Sequence, residues 1–432
     1  MSTGILHVDC KLLAAGYRRA MTDPITAPVG GLDPFAPGFY ENPYEQYAQL
    51  RDHDPVHLSV FGTWMVTRWD DVHALLRKPG TSVEDRNIAG EGSARRQQLA
   101  DLVEGREVRR SLAMLNIDPP DHTRLRKLVS KAFTPRAVEQ IRARAGELVD
   151  GLLDDLATRH EPVDLIAELA FPLPFTVISE MLGMPEGNRD QLRAWSHTVT
   201  QILDPILAFQ HAEEIFAAAD RMGEVVAEAI AWKRKRNDHD LLSALIAAED
   251  GGDVLSDAEL VDNVTLLFLA GHETTVNLIG NGVAALLAHR DQLDRLVADP
   301  ALDANAIEEL LRWDSPVQFS RRIALEPIEV RDHTVEAGQF VTTVLGSANR
   351  DPRKFGADAD LLDLGRVDAR EHVSFGSGVH HCLGAALARL EGQEAIGRLI
   401  RRFPEIQPAG EPVHNGRIVL RGFDELPVSL RR

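Results

Sequence analysis

The spacing of hydrophobic and polar residues predicts a mainly α-helical chain with small β-sheets. The segment YENPYEQYAQLRDHDP has helical spacing and closes at Pro55, and VHLSVFGTWMVT alternates on either side of Gly62 as a hairpin does. Residues 120–315 keep a mostly helical period that FPLPF and LDPIL interrupt, whereas PIEVRDHTVEAGQFVTTV returns to period two. The chain shows no internal repeat and no linker. Residues 21–432 are therefore expected to form one compact unit, and residues 1–20 a flexible extension.

One segment, SDAELVDNVTLLFLAGHETTVNLIGNGVAALLAHR, predicts a helix long enough to cross the whole unit. Ser256 and Glu259 form a capping box, so the helix is expected over residues 257–289, about 50 Å at 1.5 Å per residue. Residues 264–270 are apolar on most faces, which is typical of a helix buried all round. The polar group GHETT follows, and a carboxylate inside a buried helix, here Glu273, is costly unless it is paired or used.

The HETT group allows three interpretations. A zinc-protease motif H-E-x-x-H needs a second histidine four positions after His272, and Val276 stands there, so this interpretation fails. In a structural interpretation, the hydroxyl of Thr274 or Thr275 bonds back to a carbonyl one turn earlier and Gly271 permits a local distortion. In a functional interpretation, the acid and the alcohol act on a bound molecule. The residues alone leave the last two open.

Charge and cysteine content exclude several classes of function. The 432 residues include 47 basic and 66 acidic side chains, a net charge of −19, which argues against a nucleic-acid surface. The basic run KRKR at residues 233–236 is interpreted as a solvated helix end. Cys10 and Cys382 lie at opposite ends of the chain, so we expect no disulfide framework and a cytoplasmic location. Asp9 and Lys11 interrupt any signal peptide, and no apolar stretch approaches the ~20 residues of a membrane span.

Cys382 stands in the loop FGSGVHHCLG, whose glycines allow positive φ or a close approach to a flat object. The helical stretch LGAALARLEGQEAIGRLIRRF follows, so the cysteine lies at or just before a helix N-terminus, where the dipole and free N–H groups favour the thiolate. A thiolate held in this way is a metal ligand or a nucleophile, with His380 and His381 as available partners. The structural alternative is an inert small apolar cysteine. The spacing matches no zinc site, no C-x-x-C-H haem attachment and no dinucleotide loop.

The loop matches the pattern F-G-x-G-x-H-x-C-x-G at every fixed position, from Phe375 to Gly384. This pattern resembles the haem-binding loop of the cytochromes P-450. The likeness to the bacterial soluble class extends from NPYEQYAQLRDHDPV to LRGFDELPV and leaves only residues 1–20 outside. The resemblance implies the cytochrome P-450 fold and haem b (heme b, iron protoporphyrin IX), with the Cys382 thiolate as iron ligand. It also implies that Phe375 and the loop N–H groups tune the sulfur.

The resemblance assigns roles to residues elsewhere in the chain. AGHETT is similar to the segment A-G-x-[DE]-T, which makes Ala270 part of the haem site and Glu273 and Thr274 the acid and alcohol beside the oxygen site. Arginine suits buried carboxylates best among the cationic side chains. The other residues that the resemblance places around the haem and its propionates are His122, Arg126, Arg322, Phe375, His380 and Gly384.

EELLR supplies the E-x-x-R pair of the family, Glu309 and Arg312, on one helix face. In FGADADLLDLGR the family usually places an arginine that completes a network with this pair, and Leu361 stands there instead. The third member of the network is therefore unassigned, with Arg353 and Arg366 as possible substitutes.

The activity that the resemblance implies is a haem-dependent monooxygenase that hydroxylates or epoxidises a hydrophobic small molecule with O2. Because the chain ends soon after the cysteine helix, electrons are expected from a separate ferredoxin and its NAD(P)H-dependent reductase, docked near Arg126, Lys127 and Arg389. A peroxygenase that uses hydrogen peroxide and a non-catalytic haem-binding sensor are alternatives, and Glu273 and Thr274 argue against both. We expect a monomer.

The substrate is expected to be of polyketide, terpene, steroid or fatty-acid type. By resemblance, its pocket draws on TSVEDRNIAGEGSARRQQLADL, on residues 171–215 and on several apolar side chains. These side chains are Phe268, Val317, Phe319 and Phe423.

Overall fold

The computed structural model describes residues 31–430, except for 60–61, 90–110, 185–188, 237 and 239. The extension predicted for residues 1–20, with Cys10, lies outside the described residues. The helices are α1 (Tyr44–His53), α2 (Trp69–Arg77), α3 (Asp121–Ala132), α4 (Pro135–Leu156), α5 (Pro172–Met181), α6 (Arg189–Thr200), α7 (Leu207–Gln210), α8 (Ala212–Lys233), α9 (Leu241–Ile246), α10 (Asp257–Ala288), α11 (Arg290–Ala298), α12 (Asp303–Trp313), α13 (Leu345–Ala348), α14 (Pro352–Phe355) and α15 (Ala385–Arg402). Among these described helices, none combines the length and the apolar character that crossing a membrane requires.

The strands are short and form small sheets. They are β1 (Val56–Leu58), β2 (Trp64–Val66), β3 (Thr81–Ser82), β4 (Val163–Asp164), β5 (Glu249–Asp250), β6 (Asp253–Val254), β7 (Phe319–Ala324), β8 (Ile328–Val330), β9 (His333–Val335), β10 (Phe340–Val344), β11 (Gln407–Pro408), β12 (Val413–His414), β13 (Phe423–Glu425) and β14 (Pro427–Ser429). The largest sheet has the order β1-β2-β10-β7-β3, in which only the β2–β10 pair is parallel. A second sheet has the order β11-β14-β4, and β5–β6, β8–β9 and β12–β13 are two-stranded.

The predicted mainly helical architecture with small sheets is confirmed. The segment that closes at Pro55 is α1, and the segment around Gly62 forms the β1–β2 hairpin, with Val56 opposite Val66. The later period-two segment forms β8, β9 and β10. Apolar faces of the helices pack into one large core, while the main sheet packs its own smaller cluster.

The long central helix α10 begins as its sequence predicts. Ser256 Oγ accepts a hydrogen bond from the Glu259 backbone N–H (3.3 Å), and the Glu259 carboxylate accepts one from the Ser256 backbone N–H (2.8 Å), which is a complete capping box. The helix ends one residue before the predicted His289, which has already left helical geometry. It packs against α5, α8, α12 and α15, and so occupies the centre of the helical layer.

The predicted burial of residues 264–270 on all sides of α10 is wrong at one end. Ala270 is exposed, and the longest continuously buried stretch lies later, at residues 275–283. A small apolar side chain suits both a core and a ligand-facing surface, so the hydrophobic pattern does not separate the two. Ala270 therefore marks a place where α10 presents an accessible face.

Glycines bring α10 and α15 into close contact. A Cβ added at Gly282 would lie 2.8 Å from Ile396 Cδ1, and one added at Gly392 would lie 3.1 Å from Leu278 Cδ2. A larger residue at either position would force these neighbouring side chains to shift. The contact holds the helix that carries the HETT group against the helix that follows Cys382.

A carboxylic acid lies inside this interface. Glu391 on α15 is fully buried, and neither of its oxygens makes a hydrogen bond of standard geometry with the residues that the structure describes. Burial raises the pKa of Glu391 to about 8, and the nearby Thr275 hydroxyl opposes this shift. The side chain is therefore mostly protonated at neutral pH.

The burial of Glu391 predicts that the stability of the protein varies with pH through this one residue. The folded protein retains a proton that the unfolded chain releases near the ordinary pKa of 4.5, so the contribution of Glu391 is fully present below that pH and is lost as the pH rises towards 8. At about 1.4 kcal/mol per pH unit, the free energy of unfolding of Glu391→Gln is expected to rise by about 2–4 kcal/mol relative to that of the native protein between pH 5 and pH 8. Chemical denaturation at both pH values measures this gain, and an equal difference at both would contradict it.

Candidate functional site

The cysteine loop is a tight turn closed by its own backbone. The Cys382 N–H donates to the Phe375 carbonyl (2.9 Å), and Gly376 and Gly378 have positive φ angles of 68° and 71°, as expected. A Cβ at Gly378 would lie 2.6 Å from the Leu76 carbonyl oxygen. Gly384 has φ −81°, and the Cys382 sulfur is the one described atom within 4 Å of a Cβ added there, at 4.0 Å. The space beside the sulfur is thus open towards Gly384.

The side chain of Cys382 is exposed, although many protein atoms surround it, and these surroundings act on its pKa in two directions. Burial raises the pKa of Cys382 above its ordinary value, and the Gly384 N–H and the charges of Arg126 and Arg389 oppose this only in part. The predicted effect of the helix N-terminus is present but weaker than desolvation, because α15 begins three residues after the sulfur. A thiolate at this position needs a further positive partner.

Four residues predicted to contact a cofactor come together next to this loop. The ring centroids of His122, on α3, and His380 are 4.3 Å apart. Arg126, one turn along α3, donates from Nη2 to the His381 carbonyl (2.6 Å). Arg322, on β7, is only 6% exposed and donates to Ser320 Oγ and to its neighbour's carbonyl. Residues from three separate segments therefore form one cationic cluster.

This cluster, named the cationic cluster for its two arginines, consists of His122, Arg126, Arg322 and His380; in the described part of the chain no carboxylate forms an ion pair with it, although Asp118 lies near enough to act on His122 and Arg322. Neither nitrogen of the buried His122 bonds to any described residue. Burial, and then the charges of its three neighbours, lower the pKa of His380 to about 3, and burial lowers that of Arg322 to about 10. The cluster matches a ligand with carboxylates, and so fits the propionates of a haem.

The hydroxyls of the HETT group bond as the structural interpretation predicts. Thr274 Oγ1 donates to the Ala270 carbonyl (3.0 Å), and Thr275 Oγ1 donates to the Gly271 carbonyl (3.4 Å). His272 is buried, and burial lowers its pKa to about 4, so its ring is neutral. In the described part of the chain, no three His, Cys, Asp or Glu side chains are grouped to hold a metal ion. Thr274 and Ala270 thus lie on the accessible face of α10.

The partner of Glu273 is a residue that the sequence analysis missed. Arg417 Nη1 donates to Glu273 Oε1 (2.9 Å), and the same guanidinium donates to Thr200 Oγ1 (2.9 Å) and the His197 carbonyl (3.2 Å). Arg417 is buried and lies in the C-terminal segment HNGRIV, which contains no recognisable motif. The carboxylate of Glu273 and the hydroxyl of Thr274 therefore bond to different partners.

A cavity of about 460 Å³ lies beside Glu273. It is lined by Ile166, Phe171, Arg193, Ala194, His197, Thr198, Glu273, Val276, Asn277, Asn415, Phe423 and Asp424. This lining agrees with the predicted use of residues 171–215 and of Phe423. Phe268 instead packs in the core against Phe175, and most of the first predicted pocket segment falls in residues 90–110, outside the described residues.

The E-x-x-R pair is buried and has a third arginine. Arg312 is paired with both oxygens of Glu309 (2.6 and 2.8 Å) and also donates to three backbone carbonyls. Arg366 Nε donates to Glu309 Oε1 (3.3 Å), whereas Arg353 pairs with Asp52 near the surface. Arg366, one of the two proposed substitutes, therefore completes the network.

The predicted basic docking patch is only partly present. Lys127 pairs with Asp250 (2.5 Å), and Arg389 pairs with both oxygens of Glu308 (2.8 and 3.1 Å). These ion pairs neutralise two of the three predicted charges. Arg126, which belongs to the cationic cluster, is the third.

The comparisons with known proteins all find the same family. A family model described as Cytochrome P450 matches residues 87–299 and 300–416. Cytochrome P450 107B1 of Saccharopolyspora erythraea is 42% identical over 417 residues, which cover 93% of this chain and 98% of the relative. Vitamin D(3) 25-hydroxylase of Pseudonocardia autotrophica is 42% identical over 406 residues, covering 92% and 96%.

A solved structure of the same family superposes on this chain. The structure of the Bacillus subtilis 168 bacillaene polyketide synthase cytochrome P450 PksS superposes with a TM-score of 0.82 at 36% identity, and covers 93% of this chain and 100% of that one. The similarity therefore extends over nearly the whole length of both proteins.

The Glu273–Arg417 pair predicts a measurable coupling. Breaking a buried ion pair leaves an uncompensated charge, so Arg417→Met is expected to lower the free energy of unfolding by about 3 kcal/mol. In a Glu273→Gln background the same change should cost about 1–3 kcal/mol less, because the carboxylate is no longer stranded. A double-mutant cycle from denaturant unfolding tests this, and equal costs in both backgrounds would refute the coupling.

Proposed function

The chain belongs to the cytochrome P450 family, and from this premise we propose that it hydroxylates or epoxidises a hydrophobic small molecule with one oxygen atom of O2. Its relatives are oxidoreductases that incorporate oxygen into their substrates. The finer proposal concerns the substrate, the residues of the site and the source of electrons. The observation that carries it is the cationic cluster beside Cys382, because among the described residues no carboxylate forms an ion pair with it and neither nitrogen of His122 has a partner.

Cys382 and the cationic cluster are proposed to hold haem b. The thiolate of Cys382 would ligate the iron, and His122, Arg126, Arg322 and His380 would bind the propionates. When bound, the haem supplies the activation of O2. The open space between Gly384 and the sulfur supports this arrangement, and so does the positive partner that the desolvated thiolate needs.

Glu273 and Thr274 are proposed to manage protons. Thr274 Oγ1 donates to Ala270, so its oxygen keeps lone pairs that accept a hydrogen bond from a bound molecule or water. Glu273 Oε1 is bonded to Arg417, whereas Oε2 lies 3.8 Å from His272 Nε2, and Glu273 lines the cavity. Oε2 is therefore the atom proposed to exchange protons with water in that cavity.

The substrate is proposed to be an apolar molecule of the polyketide or steroid type. Two similar proteins carry names that refer to a polyketide synthase and to vitamin D(3). The cavity beside Glu273 contains the aromatic side chains of Phe171 and Phe423, but seven of its twelve lining residues are polar or charged, so it offers a substrate both apolar and polar contacts. A screen of polyketides, terpenes, steroids and fatty acids for a change in the haem spin state would identify the class.

Electrons are proposed to come from a ferredoxin and an NAD(P)H-dependent reductase. Of the three basic residues in the predicted patch, Arg126 has no carboxylate partner among the described residues. It contacts the cysteine loop through the His381 carbonyl. Docking near Arg126 would place an acidic partner close to the sulfur side of the site. Product formation with hydrogen peroxide alone, without these partners, would favour a peroxygenase instead.

The ligand role of Cys382 has a spectroscopic test. The reduced protein with haem and carbon monoxide is expected to show the strongly red-shifted absorption band typical of a sulfur-ligated ferrous carbonyl. Cys382→His should lose this band, because imidazole replaces sulfur, whereas Cys10→Ser should keep it. Absence of the band in the native protein supplied with haem would overturn the proposed function.

Thr274 has a separate test. Thr274→Ala is expected to bind haem normally but to divert electrons to hydrogen peroxide, so that product per NAD(P)H falls about tenfold or more. Thr274→Ser, which keeps the hydroxyl, should restore most of the coupling. Product, peroxide and NAD(P)H are measured together, and unchanged coupling in the alanine variant would contradict the role.

A further inference from the structure

Glu308, the residue before the E-x-x-R glutamate on α12, is a buried carboxylate that the mechanism above does not use. It is 3% exposed and accepts from Arg389 Nε at Oε1 (2.8 Å) and from Arg389 Nη2 at Oε2 (3.1 Å). Oε2 also lies 3.1 Å from His372 Nε2. Burial raises the pKa of Glu308, but these bonds lower it to about 2, so the carboxylate is ionised.

Glu308 has a third, more distant basic partner, the largely exposed Arg370 (3.6 Å), but Arg389 and His372 are the two that touch Phe375, the first residue of the cysteine loop. The Arg389 guanidinium carbon is 4.5 Å from the centre of the Phe375 ring, and the ring centroids of His372 and Phe375 are 5.6 Å apart. The Phe375 carbonyl in turn accepts the N–H of Cys382. We name Glu308, Arg389 and His372 the Glu308 clamp.

The clamp is distinct from the E-x-x-R network. Adjacent residues on a helix point about 100° apart, so Glu309 faces Arg312 and Arg366 while Glu308 faces α15 and the cysteine loop. Two consecutive glutamates on α12 therefore hold two different segments of the chain.

The clamp also sets the net charge near the sulfur. Arg389 lies against the ring of Phe375, whose carbonyl accepts the Cys382 N–H, so its positive charge lies near the sulfur, and the bidentate bond to Glu308 cancels part of that charge. Positive charge near a thiolate ligand draws electron density away from the bound metal and favours its reduced state. Glu308 is thus placed to oppose this effect.

We propose that Glu308 is a positioning residue for the thiolate: it holds Arg389 and His372 against Phe375 and limits the positive charge felt by the Cys382 sulfur. The inference rests on the proposed function, because it requires a haem on Cys382. Its consequence is a lower haem reduction potential than an unpaired Arg389 would give.

The test compares the reduction potentials of two variants that each remove one charge of the pair. In the holoprotein, Glu308→Gln removes the negative charge that compensates Arg389 and should raise the potential, whereas Arg389→Gln removes the nearest positive charge, leaves Glu308 with His372 and the more distant Arg370, and should lower the potential. The expected size is about a tenfold change in the ratio of oxidised to reduced haem, which is about 59 mV for a one-electron couple. Opposite signs distinguish the charge effect from simple loosening, which would move both variants in the same direction.

A matched control is available on the same two helices. Arg401 on α15 pairs with Asp303 on α12 (3.0 and 2.6 Å), away from Phe375, so Asp303→Asn should leave the potential unchanged. Shifts of the same sign in the two clamp variants, or no shift in either, would overturn the inference. If Glu308→Gln fails to retain haem, the direction of the Arg389→Gln shift decides alone. Failure of the proposed function is separate, because the native protein would then lack the sulfur-type carbon monoxide band.

Discussion

The compensation of buried charge is the constraint on which the rest of this structure depends. Where the protein needs rigidity it supplies both partners: Glu309 with Arg312, Glu308 with Arg389, and Glu273 with Arg417. Desolvation makes each of these groups costly alone; Glu309 finds Arg312 one turn along its own helix, whereas Glu308 and Glu273 receive their partners from remote segments. The cationic cluster is the exception, since no carboxylate of the described residues forms an ion pair with its arginines. A ligand site is thus recognised by what the protein leaves uncompensated.

The geometry of the site follows from the close contact of α10 and α15. Gly282 and Gly392 lie in this contact, which holds α10, with Thr274, against α15, the helix that follows Cys382. α12 packs against the same pair and directs Glu308 and Glu309 to two loops. The rigid helices therefore fix the positions of residues whose own loops are rich in glycine.

Features that depend on neighbouring residues could be predicted from the sequence, whereas contacts between remote segments could not. The capping box of α10, the positive φ of Gly376 and the back-bonding of Thr274 depend on residues within one turn, so local chemistry predicts them. Arg417 reaches Glu273 from 144 positions away with no motif around it. The burial expected at Ala270 was wrong for a related reason: the hydrophobic pattern does not report how much of the surroundings is protein.

The sulfur and the cationic cluster have opposite requirements, and this restricts what can bind. Cys382, whose pKa is raised, needs a positive centre to stay ionised, whereas Arg126 and Arg322 need negative charge and His122 and His380 can donate hydrogen bonds to it. A metal ion alone satisfies only the sulfur, and an inorganic anion satisfies only the cluster. Haem b carries an iron at its centre and two carboxylates at its edge, so one rigid molecule meets both requirements at once. Binding of either end therefore favours binding of the other.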